Sequence, residues 1–363
     1  MNKRIIAIHL PQYHPFNENN EWWGKGFTEW TNVAKARPKF KGHYQPHIPA
    51  DLGFYDLRLP EIREEQARMA KEYGINGFCY YHYWFNGHRL MERPVNEILS
   101  SGKPDFPFML CWANENWTRA WDGGEKEILI QQNYSFDDDR NHIRYLLNNV
   151  FCDPRYIRIN NKPVFAIYRS TLFPNMNKTI AIWREEAAKV GVELYLCRFE
   201  SFGQGGEELL KDGFDAAIDF QPFGPMFSKY INNDLKHRFL NKVKKTIRPW
   251  NYIHKISYKK YINFVISQDM PQYKQYPCLT PMWDNTARRK NNIFMFDGST
   301  PKLYGKWLDH VMKKFAPYSE EENFVFINAW NEWAEGNHLE PDRKWGKSYL
   351  EMTRNIIDNY KNK

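Results

Sequence analysis

A chain of 363 residues, 42% of them hydrophobic, is long enough to build one large core and fits a single barrel with insertions, so one domain spanning 1–363 is expected. A formal net charge of +8 without any nucleic-acid motif argues against nucleic-acid binding, and the absence of a long apolar run argues against a transmembrane segment. Five cysteines, odd in number and without a CxxC pair, suggest neither a disulfide framework nor a zinc site and fit a reducing cytoplasm.

In chain order, Met1-Asn2-Lys3-Arg4 leads straight into an apolar stretch that Pro11 interrupts, too short for a signal peptide. Eight short runs rich in β-branched and aromatic residues then recur: Arg4–Leu10, Ile75–Trp84, Phe106–Trp112, Val164–Arg169, Glu193–Phe199, Ala216–Phe220, Cys278–Trp283 and Phe324–Trp330. Each is nearly continuous in apolar character, as strands buried on both faces are. Between them lie amphipathic stretches, the clearest being Pro60–Glu72, which Pro opens and Gly74 follows. The others are Asp137–Val150, Thr179–Val190, Lys302–Phe315 and Lys347–Tyr360. This alternation predicts a (β/α)₈ TIM barrel with long βα-loop insertions. A doubly wound sheet is disfavoured, because the first strand runs into His9-Leu10-Pro11-Gln12-Tyr13 where a glycine-rich phosphate turn would stand.

Two excursions, Gln12–Leu59 and Phe223–Gln275, both follow a strand and belong on the working face. The second carries a basic stretch around 229–260. It reads either as peripheral contact with an anionic membrane surface or a phosphate-bearing glycan carrier, or as an exposed helical insertion, and charge runs more often solvate a face.

Polar and aromatic groups gather just past the strand ends: His9, Gln12 and Tyr13; Tyr81, His82 and Trp84; Trp112, Asn114, Glu115 and Trp117; Arg198; Gln221; Trp283; then Asn331-Glu332-Trp333-Ala334-Glu335. With 14 Trp and 22 Tyr in the chain, such a face suits sugar rings, which stack on aromatics and hydrogen-bond to polar edges. Glycoside chemistry needs two carboxyl groups of different proton affinity. Glu332 and Glu335, three apart, project from one side of a helical turn with Cβ atoms about 5–6 Å apart. An ExxE pair alone is weak, since surface glutamates show the same spacing; the end of a buried aromatic strand strengthens it. Glu29, beside Trp30, and Glu115 are further acids that either orient a sugar or make structural hydrogen bonds. Asp137-Asp138-Asp139 stands where a helix begins and reads as a cap. His9, His14, His43, His47 and His82 show no metal-ligand spacing, so neither metal nor cofactor is expected.

The chain resembles the WbsX-type proteins of bacterial surface-polysaccharide biosynthesis, a group related to glycoside hydrolase family ninety-nine, the endo-α-1,2-mannosidases. The likeness lies in His9-Leu10-Pro11-Gln12-Tyr13-His14, Gly26-Phe27-Thr28-Glu29-Trp30, Tyr80-Tyr81-His82-Tyr83-Trp84, Trp112-Ala113-Asn114-Glu115-Asn116-Trp117 and Asn328-Ala329-Trp330-Asn331-Glu332-Trp333-Ala334-Glu335. The resemblance implies Glu332 as general base on a sugar 2-hydroxyl and Glu335 as general acid/base, with retention through a 1,2-anhydro sugar and no metal. It implies an oligosaccharide or polysaccharide substrate, lipid-linked or free. Two alternatives stand: a glycosyltransferase using an activated donor in O-antigen or capsule assembly, and a non-catalytic glycan-binding barrel.

Overall fold

The computed structural model describes residues 2–119, 124–233, 253–290 and 293–361. Strands β1 (Arg4–His9), β2 (Gly77–Phe85), β3 (Phe108–Trp112), β4 (Lys162–Ile167), β5 (Tyr195–Glu200) and β6 (Ala216–Asp219) lie side by side, each parallel to the next in chain order. The seventh position is filled in two pieces, Gln275–Tyr276 pairing with β6 and Cys278–Leu279 pairing with β8 (Phe324–Ile327). Since β8 also pairs with β1, the sheet curls into a nearly closed parallel barrel, as the strand pattern predicts.

The expected seventh strand, Cys278–Trp283, is a correction. Pairing starts earlier, at Gln275, and ends at Leu279, leaving 280–283 as loop. Pro277 has no N–H to donate and so splits the ladder, yet its carbonyl still accepts from Phe326 N at 2.8 Å. The inward-facing residues Ile6, Ile8, Cys79, Met109, Cys111, Ala166, Cys197 and Ile218 have essentially no exposed surface, which makes the interior a packed core.

The predicted helices appear within a few residues of their expected limits: Pro60–Glu72, Phe136–Asn149, Met176–Ala188, Pro301–Lys314 and Ser348–Lys361. Their starts have physical causes. Pro60 and Pro301 open two of them, and the side chains of Ser135, Asn175 and Thr300 accept the first free amides of three. Asp138 and Asp139, in the first turn of Phe136–Asn149, take hydrogen bonds from Trp84 Nε1 and Thr179 Oγ1, so that acidic run is structural.

The excursion after β1 folds over the barrel mouth and contributes two short helices, Asn17–Trp23 and Glu29–Lys35. In the excursion after β6, residues 234–252 of the basic stretch lie outside the described residues. The helix Tyr258–Ile266 buries Tyr258, Tyr261 and Ile262, while Lys229, Lys255, Lys259 and Lys260 face outward. Among the described residues no helix is long and apolar enough to cross a membrane.

Candidate active site

Past β8 the chain forms a two-residue antiparallel hairpin, Asn331–Glu332 against Asn337–His338, whose tip is the single 3₁₀ turn Trp333–Glu335. This turn keeps Glu332 and Glu335 close. Gly336 closes it with φ +53, and a Cβ there would meet the Asp284 carbonyl oxygen and Cβ at 3.0 Å. Only glycine meets both demands at low cost. The close approach also lets Asp284 N donate to Glu335 O at 2.6 Å, which ties the hairpin to the loop after the seventh strand.

That loop brings the counter-charge. Arg288 forms an ion pair with Glu335, and its Nη1 lies 3.6 Å from Glu29 Oε1. Three carboxyl groups, Glu29, Glu332 and Glu335, thus gather about one guanidinium. Burial pushes the proton affinity of Glu332 well up, and the Glu335 charge adds to the effect, while Arg288 opposes it. One Glu332 oxygen, Oε2, has no hydrogen-bond partner. Glu335 is also raised by burial, but Arg288 and then Arg289 pull it down. Glu29, with no exposed surface, is pushed up to about 7, again by burial against the pull of Arg288. Carboxyl groups so close titrate as a set, and Arg288 biases the ionised form toward Glu335.

Glu332 and Glu335 form part of the wall of a cavity of about 290 Å³ at the C-terminal ends of the strands. Of the residues expected from sequence, Gln12, Tyr81, Glu115, Trp117 and Trp283 line it too. Glu115 is braced by an ion pair with Arg169. Glu29 lies behind Arg288 and acts on the cavity through it.

The other expected sugar contacts sit outside the cavity wall. His82 and Trp84 point from β2 to the helix Phe136–Asn149, where His82 Nε2 is 2.9 Å from His142 Nε2 and Trp84 bonds Asp138. Trp112 Nε1 donates to the Trp84 carbonyl at 3.2 Å. Strand parity explains this, because alternate side chains face opposite sides. Tyr81 and Tyr83 face the cavity, and their neighbours face the helices. His9 is buried beside Gln66 and kept neutral, its proton affinity lowered to about 3 by burial.

Tyr13, Trp30, Asn331 and Trp333 form the packing beneath the hairpin. Tyr13 donates to Asn331 O, Asn331 exchanges hydrogen bonds with the Leu10 backbone, and Trp30 and Trp333 pack at 5.4 Å. Asn114 holds Tyr134 and the Arg169 backbone; Arg198 bonds Ser170; Gln221 bonds Asp219 and Tyr261. All three are buried supports.

The sequence places Tyr83 and Tyr168 past strand ends without singling them out as sugar contacts, and the cavity includes both; Phe223, Arg288 and Arg289 are the cavity residues the sequence reading missed. Parity on β2 pointed to Tyr83 once Tyr81 was chosen. Glutamates withdrawn from solvent also call for a cation, and Arg288-Arg289, shortly after a strand, was one of the candidates.

The sequence matches the family described as Glycosyltransferase WbsX over residues 5–353. The WxcX proteins of Xanthomonas campestris pv. campestris, strains ATCC 33913 and B100, are each 39% identical over 359 residues, covering 97% of this chain and 49% of theirs. The chain therefore spans about half the length of these curated relatives. Among solved structures, the GH99 endo-α-mannosidase from Bacteroides thetaiotaomicron aligns over 100% of this chain and 98% of its own, with TM-score 0.60 and 16% identity. A glycoside hydrolase-like protein aligns over 98% and 94%, with TM-score 0.58 and 16% identity. At such identity the likeness is one of fold.

Proposed function

Because the chain belongs to the WbsX glycosyltransferase family, a family of carbohydrate-active enzymes, we propose that it cleaves or transfers at a glycosidic bond of a bacterial surface polysaccharide or its precursor, with retention of configuration. The observation that carries this reading is the pair Glu332, buried, and Glu335, partly exposed, side by side in the wall of an aromatic cavity with raised proton affinities and Arg288 as a shared counter-cation.

The roles follow those implied by resemblance to the endo-α-1,2-mannosidases. Glu332 removes the proton of a sugar 2-hydroxyl, whose oxygen closes onto the anomeric carbon as the glycosidic bond breaks, and Glu335 protonates the departing oxygen. Water or an acceptor hydroxyl then opens the three-membered ring, giving its proton to Glu335 while Glu332 returns one to the 2-oxygen. In the free cavity burial raises the proton affinity of both acids and Arg288 opposes it in both, and the ion pair with Arg288 draws Glu335 toward the ionised form, the reverse of the charge this scheme needs on it. A bound sugar must reverse this, with its 2-hydroxyl directed at Glu332 and its bridging oxygen displacing Arg288 from Glu335. Proton exchange between coupled acids makes the reversal inexpensive.

A second reading, transfer from a phosphate-activated donor or a diphosphate-linked carrier, is favoured by one feature. A neighbouring cavity of about 200 Å³ shares Arg288 and Arg289 with the first and is lined also by Lys35, Arg37, Lys39 and Lys290. Cationic side chains grouped in this way suit phosphate oxygens.

The deciding experiment offers the protein surface polysaccharide and lipid-linked oligosaccharide, with and without a panel of nucleotide sugars, and follows new reducing ends and transfer products. The first reading expects donor-independent cleavage or transfer that Glu335→Gln lowers about 10²–10⁴-fold. Product formed only with a nucleotide sugar, together with thermal protection by it, selects the second. Turnover unaffected by Glu335→Gln removes both assignments of that residue.

A further inference from the structure

Behind the hairpin, on the side away from the cleft, three buried side chains meet that the proposed chemistry does not use. We propose that His47, His338 and Asp342 bind one divalent transition-metal ion of the zinc class, which clasps the hairpin to the excursion after β1.

His47 Nδ1 lies 3.0 Å from His338 Nε2, and His338 Nε2 lies 3.8 Å from Asp342 Oδ2. The three donor atoms fall within 4.8 Å of one another, and the residues are 4%, 1% and 1% exposed. With metal–nitrogen bonds of about 2.0–2.1 Å, two imidazole ligands of one ion stand roughly 3.0–3.4 Å apart, so the pair is near ligating separation.

The surroundings orient these atoms as ligands. His338 Nδ1 lies 2.9 Å from Glu340 O, so its N–H donates there and the Nε2 lone pair turns to the cluster. The imidazole ring is fixed by stacking on Trp333, at 3.8 Å between centroids and 14° between planes. Asp342 Oδ1 accepts from the backbone amides of Lys344 and Trp345 at 3.0 and 2.6 Å. Its other oxygen, Oδ2, is buried on the side of the cluster, with the Tyr44 hydroxyl as the neighbouring side-chain donor. A simple chain of hydrogen bonds, Tyr44 Oη–H to Asp342 and His47 Nδ1–H to His338 Nε2, leaves the charge of a buried carboxylate beside hydrogen-bonding groups alone, at a desolvation cost. A cation removes the difficulty. Two imidazoles and one carboxylate, closely packed, are a donor set that zinc accepts, with a fourth place left for water.

An entry route exists as well. A cavity of about 220 Å³ is lined by Tyr44, His47, Lys344 and Trp345, wide enough for a hydrated ion to shed water on its way in. Lys344 stands over the Tyr44 ring at 4.5 Å, so its charge is part of that wall. His338 is paired across the hairpin with Asn331, next to Glu332. An ion here therefore fixes the strand opposite the catalytic turn without touching the substrate.

The test strips the full chain with a chelator, dialyses it against Co²⁺ or Zn²⁺, and reads metal by mass spectrometry, the visible ligand-field bands of Co²⁺ and the X-ray absorption fine structure. The proposal expects about one ion per chain, the absorption of a low-symmetry four- or five-coordinate cobalt site, and scattering from two imidazoles. It further expects a melting temperature that rises on adding Zn²⁺. His47→Gln and Asp342→Asn should each lower retention at least tenfold, and His88→Gln, at an exposed histidine, should leave it unchanged. Retention below one tenth of an ion by the wild-type chain overturns the proposal, as does metal held without imidazole scattering. Equal retention by the two ligand variants overturns it too. Should a variant fail to fold, the wild-type stoichiometry and scattering decide alone.

Discussion

Glu332 and Glu340 lie on either side of the same hairpin, both buried, and their surroundings are opposite. Glu340 accepts from Gln66 Nε2 at 2.7 Å, Tyr55 Oη at 2.8 Å and Trp333 Nε1 at 2.6 Å. Burial still raises it to about 7, but these donors hold it in place and counter the rise. Glu332 has an oxygen without a partner, acidic neighbours that raise it further, and a cavity in front of it. Burial alone therefore does not mark a glutamate as a reagent. What distinguishes the two is whether the site supplies the hydrogen bonds or leaves them for a substrate to make.

The largest effect expected from this contrast is a crossed outcome. Glu332→Gln should lower turnover about 10²–10⁴-fold with little change in melting temperature, because an amide relieves the crowding of acids. Glu340→Gln should leave turnover per folded molecule within tenfold while costing about 1–3 kcal/mol, since it sets an amide N–H₂ against donors. Initial rates and thermal or urea melts of both variants give the comparison. A Glu340→Gln protein as inactive as Glu332→Gln, with intact stability, would erase the distinction.

A smaller effect should come from the cation. Arg288→Met leaves Glu29, Glu332 and Glu335 without the charge that depresses their proton affinities, so all three move further up. A group whose folded pKa is raised above its unfolded value contributes most below the unfolded value and loses that contribution as pH rises through the folded one. The variant should accordingly melt lower than wild type at pH 8 and recover toward pH 5, and the limbs of its pH–rate profile should move to higher pH. A melting temperature that falls equally at both pH values would show Arg288 to be plain packing.

The smallest effect belongs to Glu29. Its folded value of about 7 against a usual 4.5 makes wild-type stability decline between these values as pH rises, other groups aside. Glu29→Gln should flatten that interval by a few degrees in melting temperature, measured by calorimetry from pH 5 to pH 7.5. An unchanged slope would mean that Glu29 stays ionised beside Arg288.

The barrel was legible because its strands are buried on both faces and read as continuous apolar runs. The helices followed from period and caps. Pro277 hid the true start of the seventh strand, since a proline inside an apolar run ordinarily argues against a strand. The ExxE pair was legible from its place after the last strand. Which neighbouring polar residues meet the cavity was less so, because at a barrel rim consecutive residues diverge: Tyr81 and Tyr83 reach the cleft while His82 and Trp84 support the helix behind them. The grouping of His47 with His338 and Asp342 was beyond reach from sequence, since no short-range spacing encodes contact between segments so far apart along the chain.

The hydrogen bonds joining Leu10 and Tyr13 to Asn331, and Gln66 to Glu340, have a consequence for how the protein comes into being. The excursion after β1 is synthesised early and its partners among the last. While a ribosome works through the middle of the chain, neither the pocket floor nor the seam between first and last strands exists, and the early loop has nothing to dock on. The hairpin site is therefore completed in a single late step, and a nascent fragment ending before residue 331 carries most of the barrel but neither Glu332 nor Glu335.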